Sequence, residues 1–129
     1  MAEASYPDDL RYHDQHDWVR VEGDSATFGI TWYAQDTLGE VVFFEPPEVG
    51  TALTKDQPYA EVESVKAVSD VIAPMSGEVT AVNDALSDSP EQINEDPYGE
   101  GWLVKVTLSH SEEAEALLTA AEYQKLLDR

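Results

Sequence analysis

Ala60-Glu61-Val62-Glu63-Ser64-Val65-Lys66-Ala67-Val68-Ser69-Asp70-Val71 sets one lysine between two β-prone runs, in a chain of 129 residues with only seven that are basic. The runs Tyr59 to Val65 and Val68 to Ile72 are rich in residues that fit a pleated surface, and neither Gly nor Pro separates them. The pattern predicts a tight hairpin with Lys66 and Ala67 at its tip. A lysine there points into water on a stiff stalk, where an acyl group attached to it could swing between partners. On position alone it could equally be a bland solvated lysine, the commoner case for exposed lysines.

Outward from this hairpin the chain reads as further short strands. Val19 and Val21 alternate with Arg20 and Glu22, and Glu22-Gly23-Asp24-Ser25 supplies a turn before Ala26, Phe28 and Ile30 alternate with Thr27 and Gly29. Thr31 is placed to cap a short helix running to Leu38, with Gly39 as its stop. Val41 to Phe44 is apolar enough for a strand buried on both faces, ended by Pro46, Pro47 and Gly50. Pro74-Met75-Ser76-Gly77 turns the chain into a strand over Glu78 to Val82. Residues 87 to 101 read as a long acidic loop in which Pro90 opens one helical turn through Ile93. Trp102, Val104, Val106 and Leu108 alternate as a last strand, and Ser109 with Glu112 and Thr119 with Glu122 have capping-box spacing, so two short helices are expected in 109–129. Residues 1–9 are expected to be a loose leading segment. The whole, 1–129, reads as a single mainly β domain of antiparallel sheets with short peripheral helices and a helical C-terminus. Gly39-Glu40-Val41 and Gly77-Glu78-Val79 echo each other across the lysine hairpin, which suits two similar β-layers.

Twenty-seven acidic residues against seven basic give a net charge of −20. Such a chain repels nucleic-acid phosphates and anionic lipid, so neither is an expected partner, and neutral or basic proteins are. The alternating patterns and a 42% apolar content mark it as folded rather than an acidic tail. The acids are spread along the whole length, which suits a halophilic-like surface adapted to a salty cytoplasm; a steering field for a basic partner is the alternative. No cysteine is present, so any redox sulfur must arrive on a cofactor. No apolar run approaches membrane-spanning length and the amino terminus has no signal-peptide pattern, so the expectation is a cytoplasmic protein with no membrane contact. His13 and His16 offer no evident third ligand, and no metal is expected. No catalytic triad, phosphate-binding glycine loop or calcium loop is present, and no catalytic residue is assigned. Trp18, Trp32 and Trp102 read as packing residues.

Glu63-Ser64-Val65-Lys66-Ala67-Val68-Ser69-Asp70-Val71, followed by Pro74-Met75-Ser76-Gly77-Glu78-Val79, resembles the lipoylation site of the glycine cleavage H-protein family. His16-Asp17-Trp18-Val19, Gly29-Ile30-Thr31, Leu38-Gly39-Glu40-Val41-Val42, Asp96-Pro97-Tyr98-Gly99 and Gly101-Trp102-Leu103 resemble that family in the same order, over residues 10–127. The resemblance implies a flattened barrel or sandwich of the lipoyl and biotinyl carrier type, with lipoate joined to Lys66 by an amide. It implies a non-catalytic carrier serving glycine decarboxylase (the pyridoxal-phosphate P protein), the aminomethyltransferase (T protein) and dihydrolipoamide dehydrogenase (L protein), after modification by a lipoylating enzyme. Glu63 and Gly77 match positions that enzyme recognises, although for Gly77 turn geometry is the preferred reading. Asp17, with His16 beside it, matches the cleft position where the family usually has a Glu that contacts the aminomethyl group. A solvated surface acid is the equal alternative for Asp17. Other circuits remain in view: a donor that relays lipoate to another multienzyme complex, a biotin carrier, or an unmodified binding module. Biotin sites resemble a lysine flanked by methionine, whereas Val65 and Ala67 flank Lys66.

Overall fold

The computed structural model describes residues 5 to 128. In chain order they form β1 (Arg11–His13), β2 (Asp17–Glu22), β3 (Ser25–Ile30), α1 (Trp32–Leu38), β4 (Val41–Glu45), β5 (Ala52–Leu53), β6 (Pro58–Ser64), β7 (Val68–Ile72), β8 (Gly77–Val82), α2 (Gln92–Glu95), β9 (Val104–Leu108) and α3 (Ala120–Leu127), with 3₁₀ turns at Asp84–Ser87 and Ser111–Ala116. Six strands make one antiparallel sheet in the order β1-β2-β3-β9-β8-β5, and β4-β6-β7 make the other. The fold is therefore the expected pair of antiparallel sheets. The two triplets that echo in the sequence start one strand in each sheet, though Gly39 has a φ of 85° and Gly77 is an ordinary strand residue.

The sheets close over one apolar cluster in which Val19, Phe28, Ile30, Val79, Val104 and Val106 of the large sheet meet Val41, Phe44, Val62 and Val71 of the small one. A second cluster, Leu10, Tyr12, Trp18, Ala120 and Tyr123, lies where α3 packs on β1 and β2. Asp17, Trp18 and Val19 are all buried in succession, because β2 is covered by the small sheet on one side and by α3 with the 96–98 loop on the other. The Trp18 indole N–H donates to Pro97 O at 2.8 Å, and its ring lies against Gly29, where a Cβ would come within 2.5 Å of the indole. This glycine is required by close approach.

Thr31 caps α1 as expected, its hydroxyl accepting from the Ala34 N–H, and Gly39 ends the helix in the left-handed region. Thr119 and Glu122 form the expected capping box on α3. Ser109 does not cap. Its N–H donates to Ser76 O in continuation of the sheet, so the next turn starts from His110 and is 3₁₀. The β4 expectation is also corrected: Val42 and Phe43 are each 47% exposed. As the edge of the small sheet β4 is covered on one face only, and a bulge between Val41 and Phe43 turns both residues outward. The expected loose segment 1–9 is anchored from Ser5 onward: Ser5 O accepts from Tyr98, Pro7 O accepts from Tyr12, and the Tyr6 ring packs edge-on to Tyr12 and Tyr123. Residues 1–4 lie outside the described residues. No helix among the described residues is long and apolar enough to cross a membrane.

Candidate functional site

β6 and β7 pair antiparallel with Val62 opposite Ser69 and Glu63 opposite Val68, and the connection carries Lys66. Ser64 builds the tip. Its backbone N–H donates to Ala67 O at 2.7 Å, while its hydroxyl accepts from the N–H groups of Lys66 and Ala67 at 3.2 and 3.1 Å. Val65 N–H donates to Glu40 O at 3.1 Å, tying the tip to the segment after α1. That segment is itself held by Asn94, whose side chain accepts from Val41 N–H and donates to Gly39 O and Gln35 Oε1. Lys66 is exposed, and its stem passes over Gly39, where a Cβ would stand 3.4 Å from Lys66 Cε. Val65 and Val68 beside it are 67% and 59% exposed.

Ala67, Val68, Ser69 and Asp70 form one wall of a cleft of about 410 Å³ between the tip, α1 and the start of β2. Ile30, Ala34, Leu38, Val62 and Val71 give it apolar sides, and Asp17, His16, Tyr33 and Asp70 supply its polar groups. Asp17 is 1% exposed, which rules out the solvated-acid reading. Its Oδ2 has no hydrogen-bond partner, and burial holds its carboxyl well above the usual carboxylate range. His16 has a φ of 76°, stacks tilted on Tyr33 with centroids 4.7 Å apart, and bonds Tyr123 Oη through Nδ1 at 2.7 Å. Burial, aided by His13 and opposed by Asp14, lowers its pKa, so the imidazole is neutral at neutral pH. The cleft thus joins apolar walls to a carboxyl without a resident cation, a combination suited to an apolar group that carries a protonated amine.

Of the residues singled out in the sequence, Asp17 and His16 line this cleft, and Lys66 stands at the tip, next to Ala67 of the cleft wall. Glu63 lies in the small sheet with exposed Phe43 and Val68 as its cross-strand neighbours. Gly77 is buried in the other sheet, opposite Leu53 and Leu108, and lines no part of the cleft. The turn reading for it is corrected: a Cβ there would fall 2.5 Å from Thr107 O, so the requirement is room for a neighbouring strand. His13 bonds Asp56 Oδ1 at 2.7 Å, and no group of three metal-binding side chains exists among the described residues. Asp70, Ser64 and Asn94 were not legible as site residues. Asp70 has only its membership of the hairpin to mark it, and the bonds of Ser64 and Asn94 depend on the folded turn.

The model of the family described as "Glycine cleavage H-protein" matches residues 10–129. A glycine cleavage system H protein of Rubrobacter xylanophilus is 54% identical over 125 residues, 97% of each chain. A probable glycine cleavage system H protein of Haloarcula marismortui is 54% identical over 122 residues, covering 95% of this chain and 96% of the relative. Among solved structures, a glycine cleavage system H protein from Mycobacterium marinum superposes with a TM-score of 0.87 at 40% identity, over 95% of this chain and 99% of the other.

Proposed function

Because the chain belongs to the glycine cleavage H-protein family, we propose that Lys66 takes the lipoyl group in amide linkage and that the neighbouring cleft shelters the loaded arm, with Asp17 as the anion for its amine. The protein is the lipoyl-carrying subunit of the glycine cleavage system and not a catalyst. It serves the P protein, which loads the aminomethyl group of glycine, the T protein, which removes it, and the L protein, which takes the electrons. When bound, the lipoyl group supplies a disulfide that accepts the one-carbon unit together with two electrons.

What carries the reading is the juxtaposition of a clamped, exposed lysine with a cleft lined by a buried carboxyl that forms no ion pair. These residues fit the group. The walls made by Ile30, Leu38, Val62 and Val71 exclude water from an apolar ring, and neutral His16 leaves no rival cation. Burial raises the Asp17 pKa and so favours its protonated form while no cation faces it. A cation brought against it pulls its pKa down again, so the proton leaves to water and a charge-assisted hydrogen bond replaces it. Holding the arm at one rim raises its effective concentration for each partner. Recognition by the lipoylating enzyme is part of the same proposal: Glu63, set between exposed Phe43 and Val68, offers a charged and apolar footprint beside the tip, whereas Gly77 would contribute through the shape of the second sheet. A cytoplasmic location belongs to it as well, since a dithiol intermediate persists in a reducing compartment.

Intact-mass measurement of protein from its native cell, beside Lys66→Arg, tests the assignment. One lipoyl adduct is expected on the first and none on the second; an adduct that survives the substitution overturns it.

A further inference from the structure

Two buried side-chain oxygens among the described residues have no hydrogen-bond partner: Asp17 Oδ2 and the Tyr59 hydroxyl. They come from opposite sheets into the same layer. Asp17 pairs with Ile30 and Val19 pairs with Phe28, so Asp17 and Phe28 share one face of the β2–β3 ladder, as diagonal neighbours about 7–8 Å apart in such a pair. From β6, the Tyr59 ring meets Phe28 edge-on, with centroids 6.3 Å apart at 65°. The regular inward positions of β6 are Val62 and Ser64, which would put residue 59 on the outer face. A register shift between Pro58 and Ala60 breaks that alternation and lets Tyr59 turn in, partly exposed at its stem but with its hydroxyl buried. The electrostatics agree, since burial first and then the Asp17 charge raise the pKa of Tyr59.

A buried phenol and a buried carboxyl left single are both costly, and each is the complement the other lacks. We propose that Tyr59 is a positioning residue for Asp17: its hydroxyl, not in direct contact, reaches the free carboxyl oxygen across one bridging water and holds the carboxyl toward the cleft. The proposal rests on the reading of Asp17 as the anion of the cleft. It also accounts for a side chain one methylene shorter than the usual Glu: a donor at the rear fixes the carboxyl and stabilises it once ionised. The other titratable groups around Asp17 are otherwise engaged or stand at the cleft surface. His13, opposite it on β1, bonds Asp56, and His16 and Thr31 bond Tyr123, while Tyr33 and Asp70 line the cleft.

The test uses the unloaded full chain. Carboxyl ¹³C titration by NMR, with the Asp17 signal identified by its loss in Asp17→Asn, is compared between wild type and Tyr59→Phe, which keeps the ring against Phe28. Removing a donor to the ionised form is expected to raise the Asp17 midpoint by about one pH unit; coincident titrations overturn the proposal, because a packing role for Tyr59 would not move a carboxyl midpoint. A second readout needs no variant: the Tyr59 hydroxyl proton should exchange slowly with bulk water, and a fast-exchanging hydroxyl also overturns the proposal. If Tyr59→Phe shifts the midpoint while Asp17→Asn leaves decay of the loaded arm unchanged, the pair stands and the role of Asp17 toward the cargo falls.

Discussion

Asp17 is a carboxyl placed where the folded protein prefers it protonated, and the sign of its pH effect follows. Its folded pKa is raised, so as pH climbs from the ordinary carboxylate value toward the folded value, the folded state keeps a proton that the unfolded chain has already released. Stability therefore falls with rising pH across that window. Asp17→Asn should flatten this part of the profile and leave the protein more resistant to urea at neutral pH; an unchanged profile would mean that burial does not govern the group. The same variant should speed loss of the aminomethyl group from the loaded carrier, measured as a decay rate, and an unaltered rate would remove Asp17 from the shielding role. Gly29→Ala should cost about 1–3 kcal/mol, since a Cβ collides with the buried Trp18 ring; thermal unfolding at the wild-type temperature would contradict this. Lys66 was legible in the sequence because two strand-like runs leave it nowhere but a tip. The burial of Asp17 was not, because one acid among twenty-seven carries no local mark and the run Asp17-Trp18-Val19, buried on both faces, has no alternation to read.

At the scale of elements, the Ser64 hydroxyl joins the bonds from Ser64 N–H to Ala67 O and from Val65 N–H to Glu40 O in ordering the Lys66 hairpin. Ser64→Ala removes the acceptor for two tip N–H groups, and exchange of the Lys66 and Ala67 amides should quicken by about fivefold, from roughly 1 kcal/mol per lost bond; unchanged protection would place the order of the tip in the strands and the Glu40 tie. Thr119→Ala should weaken the docking of α3 by about 1 kcal/mol through loss of its capping box. The elements read correctly are those whose signal is local: the Thr31 and Thr119 caps, the Gly23-Asp24 turn between β2 and β3, and the pleat of β6 and β7. The errors arise where a distant partner decides. Whether β4 is an edge or a centre depends on what lies beside it, and the Ser109 N–H was available to a helix only until Ser76 claimed it.

At the scale of the whole molecule, the acid excess finds little pairing among the described residues. Among the described residues the basic side chains within 4.0 Å of a carboxylate are histidines, and no Lys or Arg comes that close. Two cations lie over rings instead, Arg20 5.3 Å from Trp18 and Lys105 5.0 Å from Trp102. With −20 charges and so little pairing, screening should stabilise the fold, so raising KCl from millimolar to molar should lift Tm by several degrees; a flat or falling Tm would show the repulsion to be negligible. Antiparallel sheets were visible in strand lengths and turns, and two layers in the echoed Gly-Glu-Val triplets and the family resemblance, yet the order β1-β2-β3-β9-β8-β5 was not, because pairing strands some eighty residues apart leaves no trace in either segment. The turn at Ser64 is bolted on both sides, by its own hydroxyl and by Glu40 O, so in the proposed carrier the post stays put and only the tether pivots. Every client enzyme must then bury its reaction centre within one shared radius of that post, like berths dredged for a single crane.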